Sequence, residues 1–312
     1  MRHVTPLRLT ALLAALSAFA LPATFGQAPS ESTDLPALNE QASSTSLPGK
    51  FVWADLFTHD AAGDAKFYSD LFGWTARTVK HQGRTHIIMS NGGMPIASIV
   101  ERKASGSHSL ARWIPFIAVA DAGATLAAAN AQGGKTLAPA RDFPRLGARA
   151  IIGDPEGVPI GILQSSSGDR ADYPSKDGDW AWFELFSKNP KAAGDFYASV
   201  FHYDVSADTR ANKEGHFLLA TGQNRRAGIQ ALETAPDAQP DWLAVVQVAD
   251  IDVTIAHAST LGGHIVSQAD RPQMASRFAI ISDPTGGTIG IVQFVDDTNP
   301  ATAAPGTTPN PQ

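Results

Sequence analysis

Two short segments place an indole, a carboxylate and a phenyl ring at alternate positions. Trp53, Asp55 and Phe57 form one set, and Trp182, Glu184 and Phe186 form the other. Each segment reads as a β-strand, whose side chains point by turns to opposite faces. If Val52, Ala54 and Leu56 pack under a helix, the first set faces away from it. The second set does the same when Phe183 and Leu185 pack inward. Rings beside one carboxylate suit a planar or cationic organic ligand, through stacking and charge pairing. A carboxylate in an apolar cleft also titrates high, which makes Asp55 and Glu184 candidate general bases. Trp is equally a good filler of a sheet face, and an acid one step away is a natural counter-ion for an arginine. Arg149 and Arg277, on the penultimate strands, are the candidates for that pairing and join Trp53, Phe57, Trp182 and Phe186 as expected ligand-binding residues.

The elements that must position these residues occur twice. Trp53 and Trp182 stand 129 residues apart. The same spacing relates Leu56 to Leu185, Phe67-Tyr68 to Phe196-Tyr197, Trp113 to Trp242, and Asp154-Pro155 to Asp283-Pro284. Such agreement without a gap predicts two homologous domains, over 50–168 and 179–296, joined by a linker over 169–178. Each domain repeats within itself. Asp60 and Asp121 each follow a short strand and open a helical stripe, as a capping carboxylate does. Asn189-Pro190 opens the third helix and Asp250 the fourth. Hairpin signals follow each helix, such as Asn91-Gly92-Gly93 and Asp154-Pro155-Glu156-Gly157. The expected fold is α+β, with a strand–helix–strand–strand–strand unit used four times. Two units side by side make one curved, concave sheet with its helices outside.

These motifs resemble a known family. Ala65-x-Phe67-Tyr68 followed by Phe72-Gly73-Trp74, and D-P-x-G-x-x-I-G-I starting at Asp154 and Asp283, look like the vicinal oxygen chelate superfamily. That is the fold of glyoxalases, bleomycin-resistance proteins and extradiol dioxygenases. The W-x-D-L and W-x-E-L openings at Trp53 and Trp182 resemble its tandem-domain, glyoxalase-like branch. The resemblance implies a metal inside each concavity, held by His, Glu or Gln on particular strands. Those positions fall on Trp53 and Trp182, on Ile114 and Leu243, and on Gly161 and Gly290, with a fourth near Ala97-Ser98 and Gly228-Ile229. None offers a metal-ligating side chain of the family's kind. No metal and no cofactor are therefore expected, and the two glycines are expected to kink their strands or to widen the cavity. No histidine recurs at the repeat spacing. His86, in a hairpin strand, is the one that merits inspection.

Composition narrows the remaining options. The chain has 312 residues, 43% hydrophobic and 17% charged, enough apolar content for packed cores. With 24 basic against 30 acidic residues it has no broad basic field, so nucleic acid is not an expected partner. It has no cysteine, which removes disulfides, thiolate metal sites and cysteine nucleophiles together. Residues 1–28, with Arg2, Arg8 and the apolar run Leu9 to Leu21, read as a secretory signal peptide. Its run is shorter than the roughly 20 residues of a spanning helix, so no stable membrane insertion is expected after cleavage. Residues 29–49 and 297–312 read as a disordered tether and tail. The expectation is a periplasmic or secreted protein, metal-independent, that binds a small organic molecule in its concave sheets. Two alternatives stand beside it: a lyase, isomerase or dioxygenase-type enzyme using Asp55, Glu184 or a non-standard metal site, and a structural or partner-binding module. The repeat also allows the two domains to form an internal pseudo-dimer.

Overall fold

A computed structural model describes residues 34–102, 111–209, 215–232, 238–271 and 275–295. The leader over 1–28 and the tail over 297–312 lie outside the described residues. The first domain runs β1 (Phe51–Thr58), α1 (Ala61–Phe72), β2 (Thr75–His81), β3 (Arg84–Asn91), β4 (Met94–Glu101), β5 (Arg112–Ala118), α2 (Ala122–Ala131), β6 (Lys135–Phe143), β7 (Gly147–Gly153) and β8 (Pro159–Ser165). The second repeats the series as β9 (Trp180–Ser187), α3 (Pro190–Phe201), β10 (Asp204–Ala207), β11 (Phe217–Thr221), β12 (Asn224–Ala231), β13 (Asp241–Gln247), α4 (Ile251–Thr260), β14 (His264–Arg271), β15 (Ser276–Ser282) and β16 (Thr288–Phe294). Each domain is one eight-stranded sheet, ordered β2-β3-β4-β1-β5-β8-β7-β6 and β10-β11-β12-β9-β13-β16-β15-β14. The opening strands of the two units, β1 with β5 and β9 with β13, pair antiparallel at the centre.

The helices start where the capping residues place them. The carboxylates of Asp60 and Asp121 and the amide oxygen of Asn189 accept from the backbone N–H three residues on, and Asp250 accepts from Asp252 and Val253. Each caps donors that the first helical turn would leave unpaired.

The helix-bearing faces of the two sheets are buried against each other. One core joins Ala54, Leu56, Phe67 and Tyr68 of the first domain to Val246, Ile251, Ile255 and Ile289 of the second. Its mirror joins Ile117, Ala122 and Ile152 to Phe183, Phe196 and Tyr197. Equivalent polar bonds cross the seam twice. Trp113 Nε1 donates to the Tyr68 hydroxyl at 2.9 Å, which donates to Asp283 at 2.8 Å. Trp242 Nε1 donates to Tyr197 at 3.0 Å, which reaches Asp154 at 3.4 Å. Trp113 and Trp242 are thus packing residues of the seam.

Burial, aided by the charge of Asp283, pushes the Asp64 carboxyl up to about 6, and burial alone does most of the same for Asp154 and for Asp241, each also to about 6. A carboxyl whose folded value exceeds its unfolded 3.8 binds protons more tightly in the folded state. Its stabilising contribution is therefore full below about pH 4 and is lost as pH rises through about 6. The urea midpoint is expected to be higher at pH 5 than at pH 7.5, and the difference to shrink in Asp64→Asn/Asp154→Asn. A midpoint that climbs over this range instead contradicts the assignment.

One expectation fails here. Residues 34–49 are not a disordered tether. Leu35 and Leu38 are fully buried with Trp53, Ile114 and Phe116 on the concave side of the first sheet. The Asn39 side chain donates to Gly168 O at 2.8 Å, Ser43 N to Ser167 O at 2.9 Å, and Leu47 N to Asp169 at 2.6 Å. The segment is polar on average, but two leucines three positions apart fill an apolar hollow, and its backbone is paired.

Candidate functional site

The concave face of the first domain carries Trp53, Asp55 and Phe57, as the alternation of β1 requires. What lies around them differs from the sequence expectation. Trp53 is wholly buried, packed under Leu35 and Leu38, so it fills the sheet rather than walling a cleft. Its indole N–H donates to Asp55 Oδ1 at 2.8 Å. Ser98 Oγ, on neighbouring β4, donates to the same oxygen at 2.6 Å. Arg149 Nη2, on β7, pairs with Oδ2. Asp55 is only 3% exposed and Arg149 6%. With both oxygens engaged, Asp55 is the counter-ion of Arg149 and not the free general base that its setting suggested.

Beside this pair lies a cavity of about 370 Å³. Phe57, Val100, Phe116, Phe143 and Ile151 supply its apolar walls, and Leu137 and Pro139 on β6 also line it. Its charged lining is Arg84, Arg141 and Arg149 against Asp55, with His81, Gln82 and His86 as further polar residues. The Arg149 guanidinium lies 4.0 Å from the Phe116 ring centroid and 5.5 Å from that of Phe143. This is stacking that a planar cation favours. Arg149 Nε and His86 Nδ1 are buried, with almost no accessible surface, and make no hydrogen bond. Burial pushes the His86 imidazole below its ordinary value. Asp55 opposes this, and Arg149, His81 and Arg84 reinforce it. His86 is therefore neutral at pH 7.

The residues do not fit the metal that the fold implies. The concave positions of the first domain carry Trp53, Ser98, Ile114 and Gly161, of which only the serine has a donor atom. A side chain at Gly161 would run into the Phe116 ring, so the glycine neither kinks the strand for its own sake nor opens space. It admits the ring. At Gly290 the same room is taken by Val245, Phe278 and Leu243, whose atoms lie 2.9 to 3.3 Å from an added Cβ. The Arg149 cation beside these positions also opposes a second cation. Among the described residues no cluster of three or more His, Asp or Glu could hold a metal ion.

The second concavity has diverged. Trp182 Nε1 donates to Glu184 Oε2 at 2.7 Å, repeating the Trp53–Asp55 bond. Gly228 stands beside Glu184 where Ser98 stands beside Asp55. Phe278 takes the place of Arg149. Leu243, Val245, Phe278 and Val292 form a small buried cluster, with Trp182 and Phe186 half-buried at its margin. Arg277, expected in this cleft, is on the opposite face of β15, where it forms a two-pronged pair with Asp252 of α4 at 2.8 Å for each bond. The arginines sit one position out of phase in the two repeats, and one position on a strand is the other face.

Sequence reasoning also missed a repeat among the histidines. β3 pairs Ile88 with Ser98, and β11 pairs Leu218 with Gly228, so His86 and His216 are equivalent at a spacing of 130. One extra residue between β10 and β11 hides them from a search at 129.

Family models match both halves of the chain. The Glyoxalase/Bleomycin resistance protein/Dioxygenase superfamily matches residues 50–162, and a glyoxalase-like domain matches 182–292. The chain is 28% identical over 261 residues to the anthracycline biosynthesis protein DnrV of Streptomyces peucetius, covering 79% of this chain and 94% of that one. It is 29% identical over 245 residues to CFP32 of Mycobacterium tuberculosis, named as a glyoxylase, covering 77% and 93%. Among solved structures it is similar to a Mn(II)-bound glyoxalase from Novosphingobium aromaticivorans, with TM-score 0.55, 13% identity, and 80% and 83% coverage. The 2,3-dioxygenase LapB from Pseudomonas sp. KL28 gives TM-score 0.57 and 12% identity, over 80% and 93%. At these identities the structural likeness speaks for the fold.

Proposed function

The chain belongs to the glyoxalase, bleomycin-resistance and dioxygenase superfamily, and we propose that its first domain binds a small, planar, oxygen-rich molecule without a metal. One observation carries this reading: the Arg149 guanidinium, paired with Asp55 and stacked on Phe116, lines an aromatic-walled cavity together with Arg84 and Arg141. The guanidinium supplies there the positive charge that a metal ion supplies in other members of the fold. Asp55, Phe116 and Phe143 orient it, and the N–H groups that Asp55 does not take are offered to a carbonyl, enolate or carboxylate oxygen. The cationic ligand that the sequence also allowed is disfavoured, because Asp55 is neutralised and three arginines line the cavity. The name of the Streptomyces relative, an anthracycline biosynthesis protein, agrees with a planar, oxygenated ligand.

Calorimetric titration with 2-hydroxy-1,4-naphthoquinone, a flat anion at neutral pH, tests the proposal. Binding is expected in the presence of EDTA and is expected to weaken several-fold in Arg141→Ala. The trimethylanilinium cation is expected not to bind. Equal binding of both probes, or binding that needs added metal, overturns the reading.

A further inference from the structure

We propose that the cleft between the two domains, bounded by the segment that joins β8 to β9, is a second binding site, for a phosphate monoester that carries an aromatic ring. It is separate from the concave cavity of the first domain and does not depend on the reading given there.

The cleft has a volume of about 210 Å³. Lys50 and Phe51 line it from the start of the first domain, Trp182 on β9 and Arg225 and Arg226 on β12 from the second, and Arg170, Asp172 and Tyr173 from the joining segment. Its charged lining is Lys50, Arg170, Arg225 and Arg226 against Asp172 and Asp179. That leaves two positive charges over, the complement of a dianion.

Both acids are already engaged. Asp172 Oδ1 takes Lys50 Nζ at 3.0 Å and Arg226 Nη1 at 2.7 Å, so one carboxylate oxygen holds two cations side by side. Asp179 is 2% exposed and accepts from Asn91 Nδ2 at 2.7 Å and from the Lys176 N–H at 3.3 Å. The arginines keep donors to spare. Arg170 gives Nε to Leu38 O at 2.8 Å and Nη2 to Pro95 O at 2.7 Å, two uncharged acceptors, and makes no ion pair with a described residue. Arg226 gives Nε to Thr221 at 2.7 Å. Arg170 Nη1 and Arg226 Nη2 carry no hydrogen bond and, unlike Arg149 Nε, are not sealed from solvent. Arg225 is exposed and has no partner among the described residues.

The electrostatics agree with this count. Burial pushes the Lys50 ammonium below its ordinary value. Asp172 opposes the shift, and Arg226 and Arg170 reinforce it. Three cations thus share one carboxylate, and an anion set among them relieves their repulsion. Guanidinium forks match the oxygens of a phosphate. The aromatic part of the ligand follows from Tyr173. Its ring is 46% exposed and lies 5.9 Å from Lys50 Nζ. With Trp182 in the same lining, it offers a face to a flat substituent.

Calorimetric titration with phenyl phosphate at pH 7.5, where it is chiefly a dianion, tests the proposal. Benzenesulfonate has nearly the same shape and one negative charge. Phenyl phosphate is expected to bind, and benzenesulfonate and inorganic phosphate each to bind about tenfold more weakly. Arg225→Ala, an exposed change, is expected to weaken phenyl phosphate about tenfold with the urea midpoint unchanged. Arg170→Met should weaken it at least as much, and its urea midpoint shows whether the fold survives loss of the bonds to Leu38 and Pro95. Arg141→Ala, in the other cavity, should leave phenyl phosphate unaffected, and saturating phenyl phosphate should leave naphthoquinone binding as it was. No binding of phenyl phosphate, equal binding of benzenesulfonate, or weakening by Arg141→Ala in place of Arg225→Ala overturns the second site and leaves the reading of the first standing. Failure of the naphthoquinone alone overturns the first and not the second.

Discussion

Arg149→Met is expected to destabilise the protein by about 3–5 kcal/mol, read as the shift of its urea or guanidinium unfolding midpoint. The substitution removes the partner of a carboxylate that is 3% exposed. Asp55 would keep its bonds from Trp53 and Ser98 but lose its only charged partner, and a buried unpaired charge is the costly outcome. Asp55→Leu should cost about as much, since it strands the guanidinium instead. The double variant Asp55→Leu/Arg149→Met removes both charges from the same space. It should recover most of the loss, because an apolar replacement of a whole buried pair is often neutral. Ligand binding should not return with stability. If either single change shifts stability by less than about 1 kcal/mol, the pair is not the buried, mutually dependent unit described here.

That pair shows how far the sequence could be followed. The alternation around Trp53 correctly set Asp55 on the concave face, because a strand has a period of two and the helix claims the other side. The capping residues of all four helices and the four-fold unit were legible for the same reason: local chemistry dictates them. Register across strands was not. Arg149 and Arg277 look alike in sequence, yet only Arg149 faces its concavity, since its true counterpart is Phe278. His86 and His216 were hidden by one inserted residue, which a constant spacing cannot absorb. That the family's ligand positions carry no His, Glu or Gln could be read from residue types alone. That Phe116 fills the room left at Gly161 could not, because it depends on a neighbouring strand. Residues 34–49 misled by composition. Disorder follows from too few apolar residues to offset chain entropy, but two leucines suffice when a ready-made hollow receives them.

The two tryptophans that open the repeats should respond differently to the same change. Trp53→Ala is expected to cost about 3–5 kcal/mol, the range for removing a large aromatic side chain from a packed core. Its indole is wholly buried between Leu35, Leu38 and the inner face of the sheet, and its N–H serves Asp55. The loss should therefore also loosen residues 34–49, seen as faster amide exchange at Asn39 and Ser43. Trp182→Ala removes a residue that is only half-buried at the margin of a small cluster, so a cost nearer 1 kcal/mol is expected. Equal costs would mean that the second concavity is packed as tightly as the first. The predicted difference follows from what each domain has done with one inherited arrangement. The first buried its tryptophan under an added segment, paired its carboxylate with an arginine and kept a cavity beside them. The second kept the Trp–Glu bond but put phenylalanine in place of the arginine. Among the described residues, the first domain thus combines aromatic walls with a buried arginine–aspartate pair, and the second has phenylalanine where that arginine stands.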